Sequence, residues 1–244
     1  MKNREVRLIA VLAAGLALAT VAGCVRVALP DPDYETTTER VDAGSATELE
    51  AEIDMGAGDL DITGDATGAM EATFEYGPAS LEPKVDYTVD SGLGRLAVST
   101  PAKVDLRPLR DMHYVWDVAL SSGLPLDLSV QMGAGRADID LRGTDLRRFQ
   151  MDLGAGDATV DLSGDWIHDA QVWITTGAGE LTVRVPADVG VRLRGHKDGI
   201  GEFNADGFRA DGDALVNDAY DDADVRFELT LVRGVGTVNV ETID

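Results

Sequence analysis

Gly133-Ala134-Gly135-Arg136-Ala137-Asp138-Ile139-Asp140-Leu141 is followed by Gly154-Ala155-Gly156-Asp157-Ala158-Thr159-Val160-Asp161-Leu162. The phrase is Gly, apolar, Gly, polar, apolar, polar, apolar. It returns at Gly177-Ala178-Gly179-Glu180-Leu181-Thr182-Val183 and at Gly199-Ile200-Gly201-Glu202-Phe203-Asn204-Ala205. Its first glycines stand 21, 23 and 22 residues apart. A fixed period in the twenties marks a stacked repeat, in which no unit buries its apolar face alone.

Further copies flank this array. Gly56-Ala57-Gly58 precedes it, Gly92-Leu93-Gly94 is a looser version, and Gly234-Val235-Gly236 closes the chain. Period-two alternation surrounds each pair. Leu49, Ala51, Ile53 and Met55 alternate with acids before Gly56, and Leu126, Leu128, Val130 and Met132 lead into Gly133. Phe149, Met151 and Leu153 lead into Gly154; Ala170, Val172 and Ile174 precede Gly177; Val189, Val191 and Leu193 precede Gly199. Such alternation predicts strands with one buried face. Each repeat then holds two strands, one on either side of a glycine corner. Glycine suits a sharp corner because it accepts positive φ and lets stacked backbones approach. The residue between the glycines is apolar in every copy, which predicts that it points inward at the end of the core.

The expected fold is all-β: a single-domain parallel β-solenoid over residues 46–244, with like positions about 4.8 Å apart. An antiparallel meander or sandwich turning at each Gly-Ala-Gly is the alternative. Stacking would set Asp140, Asp161, Arg184 and Asp206 in one outer column. The Asp140–Asp161 contact is then unfavourable. It would be relaxed by salt, by a neighbouring arginine such as Arg142, or by a bound cation.

The charge is extreme: 21 Lys+Arg against 44 Asp+Glu, a formal −23 over 244 residues. Such a balance repels nucleic acid and anionic lipid head groups. Met1–Arg7 is nevertheless basic, and Leu8 to Ala22 is almost wholly apolar. That run is short for a membrane span, which needs about 20 residues, and fits a secretory signal. Val21-Ala22-Gly23-Cys24 follows, and Cys24 is the only cysteine. This resembles the lipobox of bacterial lipoproteins. The resemblance implies cleavage before Cys24, a diacylglyceryl thioether on it, and a further acyl chain on the new amine. Two or three chains anchor a protein stably where one does not. Residue 25 is Val rather than Asp, so no inner-membrane retention signal is read, and an outer-membrane destination follows if the cell has two membranes.

Residues 25–45, with Pro30-Asp31-Pro32-Asp33 and three threonines, predict an extended tether. Val104–Val118 predicts a crossing loop with one buried aromatic edge, in which Tyr114 and Trp116 are packing residues. Asp206–Asp224 predicts an acidic insertion.

One order of motifs runs through the body: Trp116-Asp117, Leu124-Pro125-Leu126-Asp127-Leu128, Gly133-Ala134-Gly135, Gly154-Ala155-Gly156 and a closing Gly234-Val235-Gly236. It resembles the bacterial toast-rack family, a domain of unknown function related to adhesin-like and cell-wall-active-antibiotics response proteins. The resemblance covers about residues 46–244. It implies a repeated β-strand stack, often on a lipoprotein or membrane stalk, with no catalytic residues to carry over.

The chemistry legible in the residues is sparse. Gly-Ala-Gly is not a dinucleotide loop: the third glycine is missing, strands follow rather than helices, and Gly156-Asp157 would repel phosphate. Asp211, Asp213, Asp218, Asp221 and Asp222, with Asp206, Asn217 and Asp224, suit a hard cation such as calcium. Yet Leu215 interrupts an EF-hand spacing, and a solvated acidic loop is the preferred reading. Outward acids such as Asp138, Asp140, Asp157, Asp161 and Asp165 are too abundant to single out a glycosidase pair. His113, His168 and His196 lack partners at metal spacing. The expectation is therefore a non-enzymatic, lipid-anchored envelope protein whose long side binds another envelope protein, a wall polymer or glycan, or a neighbouring cell. A calcium-dependent carbohydrate-binding or polysaccharide-active protein is the alternative, and an accessory of envelope-stress signalling is a third reading.

Overall fold

The computed structural model describes residues 34–101, 113–195 and 199–243, all within one compact body. Its strands, in chain order, are β1 (Glu35–Val41), β2 (Glu48–Ala66), β3 (Met70–Gly77), β4 (Lys84–Asp90), β5 (Leu93–Ser99), β6 (His113–Ser121) and β7 (Pro125–Asp140). Then follow β8 (Asp145–Asp161), β9 (Ala170–Pro186), β10 (Gly190–Arg194), β11 (Phe203–Ala205), β12 (Phe208–Asp211), β13 (Ala214–Asn217) and β14 (Arg226–Ile243).

Five of these strands are long and run straight through a glycine pair, where two strands and a corner were expected. β7 pairs in parallel with β8 from Pro125↔Asp145 to Asp140↔Asp161, the ladder continuing through Gly135↔Gly156. Chain length shows that these strands bend. Unbent, the 16 residues of β7 would reach about 50 Å at ~3.3 Å each. Yet β8 starts five residues after β7 ends, a reach of roughly 18 Å at most, and its start lies beside the start of β7. Each long strand must therefore double back at its glycines, forming a coil with two arms.

The arms stack separately. First arms form one layer in the order β4, β5, β2, β7, β8, β9, β14, β10, β13, β12. Second arms form the other, in the order β1, β3, β6, β2, β7, β8, β9, β14, β11. The core lies between the layers. Ala51, Leu128, Phe149, Val172 and Leu229 are in register along one buried column, and Ile62, Ile139, Val160, Val183 and Val240 along another.

The pairing is parallel in the middle of each layer, as a solenoid requires. It is antiparallel at the margins: β1–β3, β3–β6, β4–β5, β10–β13 and β12–β13. The sheet is thus mixed rather than wholly parallel. Antiparallel pairs, two of them hairpins (β4–β5 and β12–β13), close the two ends of the stack, where a bare solenoid coil would expose its core. Gly92-Leu93-Gly94 belongs to one of them. Ser91 and Gly92, with φ of 54° and 90°, turn β4 into β5, so this stretch is a hairpin turn and not a corner. His113–Val118 is part of β6, not a loop. Its Trp116 and Tyr114 are buried, with the Trp116 ring edge-on to Phe74 at 5.5 Å. The remainder of the expected loop, residues 104–112, lies outside the described residues. Glu35–Val41, within the expected tether, pairs along its whole length with β3.

The fourth corner does not follow the third. β14 lies between β9 and the pair β10 and β11. The outer column is therefore Asp140, Asp161, Arg184 and Glu241, and Glu241 takes the place expected for Asp206. The Asp206–Asp224 segment is not simply an insertion, because it contains β12 and β13. Ala214 and Val216 are buried there. The buried Asn217 accepts from the Val191 N–H at 2.9 Å and donates to the Val189 carbonyl at 2.7 Å.

The residue between the glycines faces outward, contrary to expectation. Ala134, Ala155 and Ala178 are exposed, as are Val235 and Ile200. The inward residues before and after the Gly133-Ala134-Gly135 corner are Met132 and Ala137, an odd spacing, so alternation slips by one residue at the bend. Gly133, Gly154, Gly177 and Gly234 form one column. A Cβ on Gly154 would lie 2.4 Å from the Gly133 carbonyl oxygen. Gly135, Gly156, Gly179 and Gly236 form a second column; Gly156 has φ of 136°, and its Cβ would lie 1.8 Å from the Gly135 carbonyl oxygen. Gly199 and Gly201 stack on Gly234 and Gly236, with Gly201 making the same approach at 2.0 Å. Gly58 carries the positive φ of the first coil, whereas a Cβ on Gly56 would meet nothing nearer than Thr100 at 3.9 Å.

This contrast is testable by urea denaturation. Gly156→Ala should destabilise the body by about 2–4 kcal/mol, through both the clash and the backbone conformation. Gly56→Ala should stay within about 0.5 kcal/mol of the parent. Equal losses at the two positions would mean that the stacked glycine contact does not set the corner.

Candidate functional site

Residues pointing away from the core make two broad polar faces, and strand register decides what stands beside what. On the second-arm layer, Asp117, Asp61 and Asp138 are direct neighbours on β6, β2 and β7. The row continues without charge as Thr159, Thr182, Asn239 and Asn204, the last two joined by a 2.9 Å side-chain hydrogen bond. Partial burial, then the Asp117, Asp138 and Asp59 carboxylates, raise the pKa of Asp61, while Arg136 opposes them.

The outer column with Asp140 and Asp161 has the opposite character. Arg142 grips Asp140 through two hydrogen bonds, at 2.9 and 2.6 Å, and stands 3.8 Å from Asp161. Arg184 bridges Asp161 at 3.7 Å and Glu241 at 3.6 Å. Arginine, one of the three ways foreseen to relax that contact, is thus in place. The Arg142 side-chain bonds hold Asp140 below the usual carboxylate range, despite partial burial.

The first-arm layer carries the more structured surface. Two adjoining depressions, of ≈ 510 and ≈ 320 Å³, share Arg148 and Gln150 on their linings. Arg95 pairs with Glu50 at 3.3 Å and Arg148 with Asp127 at 3.4 Å. Trp173 projects from β9 with 51% of its surface exposed. The sequence reading passed over it, although Val172 and Ile174 are the inward pair of that strand and alternation places Trp173 outside.

The acids considered for calcium are divided between the ends of the β12–β13 hairpin. Asp211 and Asp213 flank its turn, while Asp218, Asp221 and Asp222 follow β13. Asp211 pairs with Arg192 at 2.7 Å, and Asp221 with Arg209. Among the described residues no group of three or more His, Cys, Asp or Glu is placed to hold a metal ion. His113 bonds Glu75 at 2.7 Å and stacks on Tyr34, and His168 is exposed on the segment before β9. His196, Cys24 and the lipobox residues Val21, Ala22 and Gly23 lie outside the described residues.

Protonation should separate the two acid groups. Asp61 binds its proton more readily in the folded body than in the open chain, so stability rises as pH falls from neutrality towards 3.8. Asp140 contributes stability above 3.8, and this is lost as pH falls below that value. Thermal melts of Asp61→Asn should therefore show a gain at pH 7 of a few tenths of a kcal/mol, small because solvent screens an exposed site. The gain should vanish near pH 4. A lower melting temperature at pH 7 would refute the repulsion.

With the geometry in place, comparison with other proteins is direct. A crystal structure from Clostridium sporogenes, provisionally named a cell adhesion protein, is 26% identical, with a TM-score of 0.80. The alignment covers 86% of this chain and 100% of that one. Provisionally named adhesins from Bacteroides fragilis and Parabacteroides merdae are 11% and 14% identical, at TM-scores of 0.30 and 0.29. They cover 86% and 87% of this chain, and 98% and 97% of their own; likeness at that level carries no argument. No curated protein matches. The N-terminal domain of toast_rack, DUF2154, matches residues 30–184, so the chain belongs to the toast-rack family.

Proposed function

We propose that this chain is an exported protein of the bacterial cell envelope, anchored by lipid at Cys24, whose stacked body is a non-catalytic, adhesin-like interaction module. The observation that carries the reading is the pair of long outward faces. A parallel ladder holds their side chains in fixed rows, and arginines or neighbouring strands occupy many of their carboxylates. Such a surface presents contacts over many residues and suits binding better than bond cleavage. The likeness to the Clostridium sporogenes protein supports the same direction. The lipobox-like Val21-Ala22-Gly23-Cys24 supplies the anchor, and an outer-membrane location follows in a cell with two membranes.

Two measurements test it. Mass spectrometry of the mature protein should find a modified Cys24 at the N-terminus, and Cys24→Ala should release the chain from the membrane fraction. Cross-linking of the full chain in intact envelopes should then recover a specific envelope protein or wall polymer. An unmodified Cys24 would remove the anchor, and recovery of lipid alone would remove the module.

A further inference from the structure

One outward row crosses both depressions of the first-arm layer. Glu52, Ser129, Gln150, Trp173 and Thr230 are successive neighbours on β2, β7, β8, β9 and β14. At about 4.8 Å per strand the row is roughly 19 Å long. It contains one aromatic platform, and its other four members are hydrogen-bonding groups. Gln171, two residues from Trp173 on the same strand, lines the smaller depression with it. We propose that this row is the binding track for an uncharged polysaccharide chain lying across the strands. The proposal rests on the interaction-module reading and names its ligand class.

Three observations select that class. First, an exposed indole offers a flat apolar face to the C–H side of a sugar ring, while its N–H stays available for a hydroxyl. Of the other apolar residues lining the depressions, Ala51, Leu96, Leu128, Phe149 and Val172 are buried and Ala97 shows only a half-buried methyl, so none offers a second flat anchor. A protein interface normally centres on a broad desolvated apolar cluster, and one indole with the partly exposed Val232, two residues beyond Thr230, is far smaller than that. Second, charge excludes a polyanion. Glu50, Glu52, Asp86 and Asp127 outnumber Arg95 and Arg148 in the larger depression, and each of those guanidinium groups is already paired with a carboxylate. No spare cation is directed at a phosphate or uronate there. Third, the row is rigid. Its side chains stand on the most extensively paired strands of the body, so hydrogen-bonding groups at regular spacing face a polymer of regular repeat.

The other surfaces fit less well. The exposed ridge of Ala134, Ala155 and Ala178 has no polar group to orient a ligand. The Asp117–Asp61–Asp138 row has like charges and no platform.

The test uses the full chain in detergent micelles and follows tryptophan emission. Trp116 is fully buried and Trp166 partly so, so Trp173 dominates any solvent-sensitive change. The probes are cellohexaose, chitohexaose and mannohexaose, with hexagalacturonate as the anionic comparison. At least one neutral hexamer should bind saturably, with or without EDTA. Trp173→Ala should weaken binding about tenfold, Trp173→Phe should largely restore it, and Gln150→Ala should weaken it at the neighbouring rung. Thr182→Ala on the opposite layer should change nothing.

Absence of binding to all three neutral hexamers overturns the proposal. So does binding unaffected by Trp173→Ala, or hexagalacturonate binding as tightly as the best neutral hexamer. A protein captured through Trp173 without any sugar binding also overturns it. If no neutral hexamer binds while cross-linking still recovers an envelope partner, the interaction-module reading stands and the sugar track alone fails.

Discussion

The backbone carbonyl of Gly135 occupies the place where a side chain on Gly156 would begin, and the same approach recurs from Gly156 to Gly179 and from Gly179 to Gly236. This contact governs the rest of the body. Parallel strands lie about 4.8 Å apart whatever their sequence. A bend shared by every strand can keep that spacing only if the bend carries no Cβ. Once glycine permits it, the two arms of each coil face one another and their alternating aliphatic side chains meet between the layers. Without it, the strands would have to straighten, and the short links such as residues 141–144 could not return the chain to the next rung.

A parallel stack makes its own difficulty, because its first and last coils would present bare core and unpaired backbone. Antiparallel strands supply the solution here. At one end β3 and β6 bring Phe74, Tyr76, Tyr114 and Trp116 over the open coil, and β4 with β5 continues the other layer. At the far end the short strands β10, β13 and β12 do the same with help from Asn217. The antiparallel segments are thus the ends of the stack and not an exception to it. A single-phrase repeat could not code for them, because their task differs from that of an inner coil.

This division explains what was legible in the residues. Alternation and the glycine period were enough to place the long strands and identify most of the buried side chains, since each depends on a local pattern of two residues or one coil. Three features escaped. The alanine of Gly-Ala-Gly faces outward although its apolar character suggests burial, and only the odd spacing from Met132 to Ala137 records the slip of alternation. The position of β14 between β9 and β10 is a choice among strands with similar edges, and no local signal ranks them. Trp173 was overlooked for the opposite reason: its position followed from its neighbours, but an isolated aromatic looks like core until its parity is counted.

The two outer faces share one construction and yet differ in what they offer. Inward positions are committed to packing, and the corner to glycine, so only outward positions remain to carry an external role. On the second-arm layer they run from a repelling row of aspartates into an asparagine and threonine ladder, with Arg142 and Arg184 already bound to carboxylates along its margin. The charges of that margin are matched internally, while the aspartate row is left to repel itself. On the first-arm layer the guanidinium groups are likewise paired, but an indole has been left uncovered in the middle of a polar row. Val172 and Ile174 fill the core from that strand, so Trp173 covers its neighbours Gln150 and Thr230 with part of its surface and leaves about half of it, 51%, open. Any further gain at that open half comes only from something that covers it, which is why the outward row around Trp173 is the place for an external role.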